Sequence, residues 1–390
     1  MTSAKAAATT FRGLLSEDAP YPILDSLTSC LTIPEVFGLQ RVCRSFRWLP
    51  GHLLKTRLNI ERHLRAFVSN PRQFRERMGQ YGGIISRGFA LNFFVPGCLR
   101  TPYLDVFLET GPRAEHFARY LRLEELYVEN ESEHDDGDEP QTPAEMLLHN
   151  AKRGTTIRLT LTDGFPLLSI LKTACTTADL KFITRDKAYS LFPIVTIQEH
   201  KLYPLSRLTD DFGRRLMEYA HHGWTTRDVI WPDWTRKKFK GMECRRVGDR
   251  FSLVVDFADN IDTPMSTPSH VIDHSQYEVL GTATTIGLNR SQRRDDHFLI
   301  EVKSLTSHAL RHSFTIGVST SWNLFLSQRL ERWVLVELYK MGSTDRPHNF
   351  TTNVPPFPYQ ISLPASFTPP TTWDYADDQV ATWYKEWESQ

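Results

Sequence analysis

Ile84 to Gly111 reads IISRGFALNFFVPGCLRTPYLDVFLETG, and how this stretch is cut decides the fold. Gly82 and Gly83 lead into Ile84 and Ile85, and the apolar run Phe89-Ala90-Leu91-Asn92-Phe93-Phe94 follows. Pro96, Gly97 and Pro102 mark a turn. Tyr103 to Glu109 then alternates. Leu104, Val106 and Leu108 share one face; Tyr103, Asp105, Phe107 and Glu109 share the other, which predicts a strand. Gly111-Pro112 stops it, and Arg113 to Glu125 has the spacing of an amphipathic helix. The order is helix, turn, strand with an acid at its centre, helix.

That order resembles the way a nucleotidyltransferase fold presents its metal-binding carboxylates. The resemblance implies a Gly-Ser pair at a helix start to hold a triphosphate. It implies two acids two residues apart on a strand, facing two metal ions, and a third acid on a neighbouring strand. Here Ser86-Arg87-Gly88 stands at the first place, Tyr103 replaces the first strand acid, and Asp105 remains. One carboxylate does not hold a pair of Mg²⁺ ions. Glu109 shares its face but lies about 13 Å along the strand at ~3.3 Å per residue. The neighbouring strand is read as Thr155 to Thr162, with Ile157, Leu159 and Leu161 facing in and Arg158, Thr160 and Thr162 facing out. No acid stands among the outward residues. Asp163 follows beside Gly164, where a turn aspartate is the plain reading. If the site were active, Asp105, Glu109 and Asp163 would carry it with Mg²⁺; otherwise no cofactor is expected.

Length allows two or three domains, at roughly 100–200 residues each. The 46 basic and 46 acidic side chains balance, so no global field draws the chain to nucleic acid or an anionic membrane. Cys30, Cys43, Cys98, Cys175 and Cys244 are scattered, without zinc spacing, and read as reduced thiols. The opening residues lack a secretory apolar core, and no apolar run approaches the ~20 residues that span a bilayer. A cytoplasmic or nuclear protein without a membrane segment is expected. No Ser/His/Asp triad, Walker loop or dinucleotide fingerprint stands out.

Residues 1–17 are small and polar and read as disordered. From Tyr21 the pattern becomes helical, with Ile23, Leu24, Leu27 and Leu31 on one stripe after Pro22. Thr32 caps a second helix, with Pro34 in its first turn and Glu35 completing a capping box. Val36, Leu39, Val42, Cys43 and Phe46 continue the apolar spacing, opposite Arg41, Arg44 and Arg47. A third segment runs from Gly51 to Phe67. Pro22-Ile23-Leu24, Leu27, Leu31 and the run Leu39-Gln40-Arg41-Val42-Cys43-Arg44-Ser45-Phe46-Arg47 together resemble an F-box. The resemblance implies a helical bundle laid against the adaptor Skp1 of a cullin ubiquitin ligase, with apolar anchors for burial and basic neighbours for orientation. An ordinary helical hairpin packed on the chain is the alternative.

From Gly83 to Pro193 the order of motifs resembles a recurrent family of F-box-like proteins in filamentous fungi. The residues that carry it are Ser86 to Phe94, Tyr103 to Gly111, Arg119-Tyr120-Leu121, and Asp179 to Thr184 with Ala188 to Pro193. Between these, Val128 to Pro140 is acid-rich and reads as a solvated loop, and Thr142 to Lys152 reads as a helix capped by Thr142. Pro71 to Gly82 reads as a helix start followed by a loop.

Beyond them, Leu208 to Ala220 is helical. His221 and His222 at its end point apart. Trp224, Trp231 and Trp234 precede Arg236, Lys237 and Lys238, a pattern able to bind single strands, although a basic surface turn is commoner. Phe251 to Phe257, His297 to Ser304 and Phe314 to Ser319 read as strands. Trp322 to Met341 and Asp377 to Trp387 read as helices, the last docked by its tryptophans.

The sequence therefore predicts an α+β protein: an F-box-like helical hairpin over 18–68, a degenerate nucleotidyltransferase-like mixed sheet over 69–200, and an α+β extension over 201–390. The expected role is a non-catalytic adaptor. Its partners would be a Skp1-like protein, through Pro22, Ile23, Leu24, Leu27, Leu31, Val36, Leu39, Val42, Cys43 and Phe46, and an unknown protein client. A working nucleotidyltransferase, or a pseudoenzyme that binds nucleotide or nucleic acid, is the alternative.

Overall fold

The computed structural model describes residues 21–97, 103–129, 144–207, 209–225, 244–257, 264–281, 298–318, 320–347, 363–364 and 366–389. The fold is α+β, built on a mixed sheet. The first helices are α1 (Tyr21–Ser29), α2 (Ile33–Val42), α3 (Leu49–Lys55) and α4 (Ile60–Leu64). The capping box opens α2: Glu35 Oε2 accepts from the Thr32 backbone N–H at 2.7 Å. The segment read as one from Gly51 to Phe67 is two helices. Asn59 restarts the chain by accepting from the Arg62 N–H at 3.0 Å. Leu24, Ile33, Val36, Phe46, Leu49 and Leu53 join the same apolar core as one face of the sheet.

Helix α5 (Pro71–Tyr81) is longer than the sequence suggested. Asn70 caps it, and Gly82 ends it in the left-handed region at φ 75°. Gly83 is held by close approach: a Cβ there would meet Met78 Cγ at 2.8 Å. There follow β1 (Ile84–Ser86), α6 (Arg87–Phe94), β2 (Tyr103–Glu109), α7 (Pro112–Leu123), β3 (Val128–Glu129), β4 (Glu145–Asn150), β5 (Thr155–Thr162), α8 (Pro166–Thr173), β6 (Lys181–Ile183) and β7 (Lys187–Ser190). A π-helical turn covers Ile194–Gln198, and α9 spans Asp210–His221.

The helix expected from Thr142 to Lys152 is not formed. Glu145–Asn150 is strand β4, antiparallel to β5, with a tight turn between them. Asn150 Oδ1 accepts from the Lys152 and Arg153 N–H groups, and Gly154 takes φ 63°. The Val128–Pro140 stretch begins in β3; residues 130–143 lie outside the described residues.

Strand β8 is Cys244–Arg246 and β9 is Leu253–Asp256. The large sheet has the order β3-β4-β5-β2-β1-β6-β7-β9, so β9 completes it from well beyond residue 200. Only the β2–β5 pair is parallel among its described pairings. Both faces are covered. Leu104, Val106 and Leu108 face the core shared with the N-terminal helices, while Ile84, Phe107 and Phe182 face a second core with α8. Leu104 to Leu108 are therefore all buried, and Thr160 and Thr162, read as outward, are buried too. A strand covered on both faces loses the contrast on which alternation depends.

Helix α10 (Ser269–His274) leads to a small sheet of order β11-β10-β8, with β10 at Gln276–Gly281 and β11 at Phe298–Glu301. Strands β12 (Lys303–Leu305) and β13 (Phe314–Ile316) pair beside it. Helices α11 (Thr320–Lys340) and α12 (Gln379–Glu388) close the chain over a third core. Trp322 is fully buried there, stacked with Phe325 at 5.8 Å and edge-on to Tyr384 at 5.2 Å. The terminal tryptophans thus dock: Trp373 and Trp383 are buried and Trp387 is half-buried. Cys30, Cys43, Cys175 and Cys244 are thiols outside any disulfide, and Cys98 is outside the described residues. Among the described residues no helix is long and apolar enough to cross a membrane.

Trp322→Ala should cost about 3–5 kcal/mol of stability, the usual range for an aromatic deleted from a packed core. Urea unfolding of the full chain measures it.

Candidate functional site

The site is set by register. Antiparallel β1 places Ser86 beside Asp105, and parallel β5 places Arg158 on its other side. Ser86, Asp105 and Arg158 therefore lie in one row across the sheet. The Ser86 hydroxyl donates to the Lys181 carbonyl at 2.9 Å, which commits it to the sheet. The Asp105 side chain is 3% exposed. Its Oδ1 accepts from Arg158 Nε at 2.5 Å and from Arg87 Nη1 at 3.4 Å.

Both guanidinium groups also reach Glu145 at the start of β4. Arg87 Nη1 lies 3.0 Å from Oε1 and Arg158 Nη1 lies 3.6 Å from Oε2. Arg158 sits over the Tyr103 ring at 5.3 Å and Arg87 over the Phe107 ring at 5.1 Å. Arg87 opens α6 in the left-handed region, φ 60°, which is rare for a residue with a side chain. Burial works against the Arg158 cation, but the hydrogen bond to Asp105 and the charges of Asp105 and Glu145 outweigh it and raise its pKa.

The cluster is thus two cations and two carboxylates, formally neutral. Chemically it is the inverse of a two-ion pocket. Where a metal site needs a further carboxylate, Arg158 supplies a fixed positive charge, and the one central acid already spends a lone pair on two guanidinium groups. A divalent cation entering here would meet that charge at hydrogen-bond distance from its own ligand. Among the described residues no group of three His, Cys, Asp or Glu side chains could hold a metal ion.

The other sequence candidates do not converge on Asp105. Glu109 pairs with Thr162, so Glu109 and Asp163 lie together at the exposed end of β2 and β5, four residues along the strand from Asp105. His221 and His222 are exposed at the end of α9, whereas Trp224 is buried against Tyr219 at 6.0 Å and offers no stacking platform. Arg236, Lys237, Lys238, Trp231 and Trp234 lie outside the described residues. In the N-terminal helices, Leu24, Val36 and Phe46 are buried, and Leu27, Leu31, Leu39 and Cys43 are half-buried against the same core. Val42 is 81% exposed. Pro22 and Ile23 lie in α1.

Glu145 is the member that sequence reasoning missed. Thr142-Pro143 followed by a glutamate imitates a helix start. The opposing signal was the Asn150-to-Gly154 turn ahead of an alternating strand.

Arg158→Ala leaves Asp105 buried beside a single, longer contact. It should cost about 3 kcal/mol, the lower part of the range for breaking a buried pair, because Arg158 itself is partly solvated. The double change Asp105→Leu with Arg158→Leu should recover most of that loss in chemical denaturation, since it removes both charges together.

No protein-family model matches the chain, and no curated protein matches it. Among solved structures, the complex of a CCA-adding enzyme with CTP aligns over 38% of this chain and 37% of that one, at 15% identity and a TM-score of 0.27. The chain thus spans little more than a third of that structure's length, a likeness too slight to reason from.

Proposed function

We propose that this chain is a non-catalytic adaptor of F-box type. Its N-terminal helices engage a Skp1-like subunit of a cullin ubiquitin ligase, and its body, a degenerate nucleotidyltransferase-like domain, holds a protein client. The observation that carries the adaptor reading is Val42, a large apolar side chain left in solvent at the end of α2. Half-buried Leu39 and Cys43 adjoin it, and exposed Arg41, Arg44 and Arg47 surround it. An apolar anchor ringed by cations on a helix fits recognition by a groove with an acidic rim. The loss of catalysis is supported by Arg158 and Arg87, which neutralise the central carboxylate that a nucleotidyltransferase would keep for metal.

Binding of the full chain to purified Skp1, followed by calorimetry, tests the reading. Val42→Asp should weaken it by about tenfold or more while leaving the melting temperature unchanged, because the side chain buries nothing in the free protein. Wild-type protein that fails to bind Skp1 removes the adaptor assignment. Nucleoside triphosphate with Mg²⁺ should leave the melting temperature unmoved. A rise that disappears in Asp105→Asn would favour the enzyme instead.

A further inference from the structure

Helix α11 is apolar on two sides. Trp322, Leu326, Leu330, Val334 and Leu338, spaced by four, are buried in the third core. The opposite side carries Leu324 at 58% exposure, Val336 at 55% and Tyr339 at 46%, with half-buried Phe325 and Leu335 between them. A helix apolar all round is normally covered all round, and α11 is covered on one side. The outer rings are fixed in place. The Arg329 guanidinium lies over Phe325 at 5.0 Å, and that of Arg346 lies over Tyr339 at 4.9 Å. In the middle of the stripe stand half-buried Gln328 and exposed Arg332, one turn apart. Neither side chain has a hydrogen-bond or ion-pair partner among the described residues.

The order of these residues is symmetric about Leu330. Leu324 and Val336 stand six residues from it on either side, Phe325 and Leu335 five, Gln328 and Arg332 two. A second α11 laid antiparallel and centred at that point therefore sets Leu324 against Val336 and Phe325 against Leu335. It also sets the Gln328 amide oxygen against the Arg332 guanidinium. Each contact then occurs twice, as a two-fold interface requires. A parallel copy in register would set Arg332 against Arg332. We propose that the outer face of α11 is the interface of an antiparallel homodimer, with apolar contacts at both ends and a polar pair on each side of its centre. A single pair of helices is a small interface, which sets the expected dissociation constant at about micromolar. The assignment does not depend on the adaptor reading, because it involves neither Skp1 nor α2.

Sedimentation equilibrium of the full chain tests it, and a dimer should build up between about 1 and 100 µM. Leu324→Lys and Val336→Glu, each made alone, should weaken self-association by about tenfold or more, since an aliphatic contact is lost at both ends of the interface. Mixed in equal amounts, the two variants should form a heterodimer at least as tight as the unaltered homodimer. The introduced cation of one chain then faces the introduced carboxylate of the other, while the native Leu324 and Val336 still meet at the opposite end. A misfolded variant could not give that recovery. A chain that stays monomeric at about 100 µM would overturn the proposal. So would a dimer indifferent to both substitutions, or a mixture that associates no better than either variant alone.

Discussion

The parallel pairing of β2 with β5 is the constraint from which the rest follows. It puts Asp105 in register with Arg158 in the middle of the sheet. A carboxylate buried there without a partner would be untenable; a carboxylate clasped by a guanidinium is stable enough to keep. Once that pair exists, Arg87 and Glu145 are drawn in as its second cation and second anion, and elements from both sides of β2 are tied together by charge. Charge thus does in this chain what metal ions would do in a pocket with three acids: it ties β4, β5, β2 and the start of α6 to one point.

The same strands explain why the N-terminal helices fold onto the body. One face of β2 presents Leu104, Val106 and Leu108, and these belong to the same continuous apolar core as Leu24, Val36, Leu53 and Phe74 of the N-terminal helices. Those helices are part of the core. Whatever they offer a partner must therefore come from residues that the core does not use. Val42 and its arginines are such residues, and Leu24, Val36 and Phe46 are not.

Much of this was legible in the chain, and the failures have physical causes. Strand β2 and the capping box on α2 could each be read from local pattern. Arg158 was read on the correct face, yet nothing in the sequence fixed its partner, because strand register is a long-range property. Thr160 and Phe107 looked like surface residues because the second core, from α8 through Tyr277, is assembled from distant segments. Glu145 was lost for the opposite reason: a strong local signal, Thr-Pro ahead of a glutamate, was overruled by pairing with β5. The docking of the C-terminal tryptophans, in contrast, followed from their number alone, since large aromatics in a tail need somewhere to be buried.

Two strained residues with side chains show how differently such strain is compensated. A left-handed backbone costs of order 1–3 kcal/mol. At Arg87 the return is visible: that conformation begins α6 and sends the guanidinium over Phe107 to two carboxylates. At Leu126 the side chain gains no burial. What holds it is the next residue, whose N–H bonds to the Leu121 carbonyl at 3.0 Å and whose hydroxyl reaches Phe67. The end of α7 and the buried Tyr127 ring together leave the intervening residue one way to turn. The strain at Leu126 is thus maintained by the core, and its consequence is an aliphatic side chain fixed in water at the edge of the sheet.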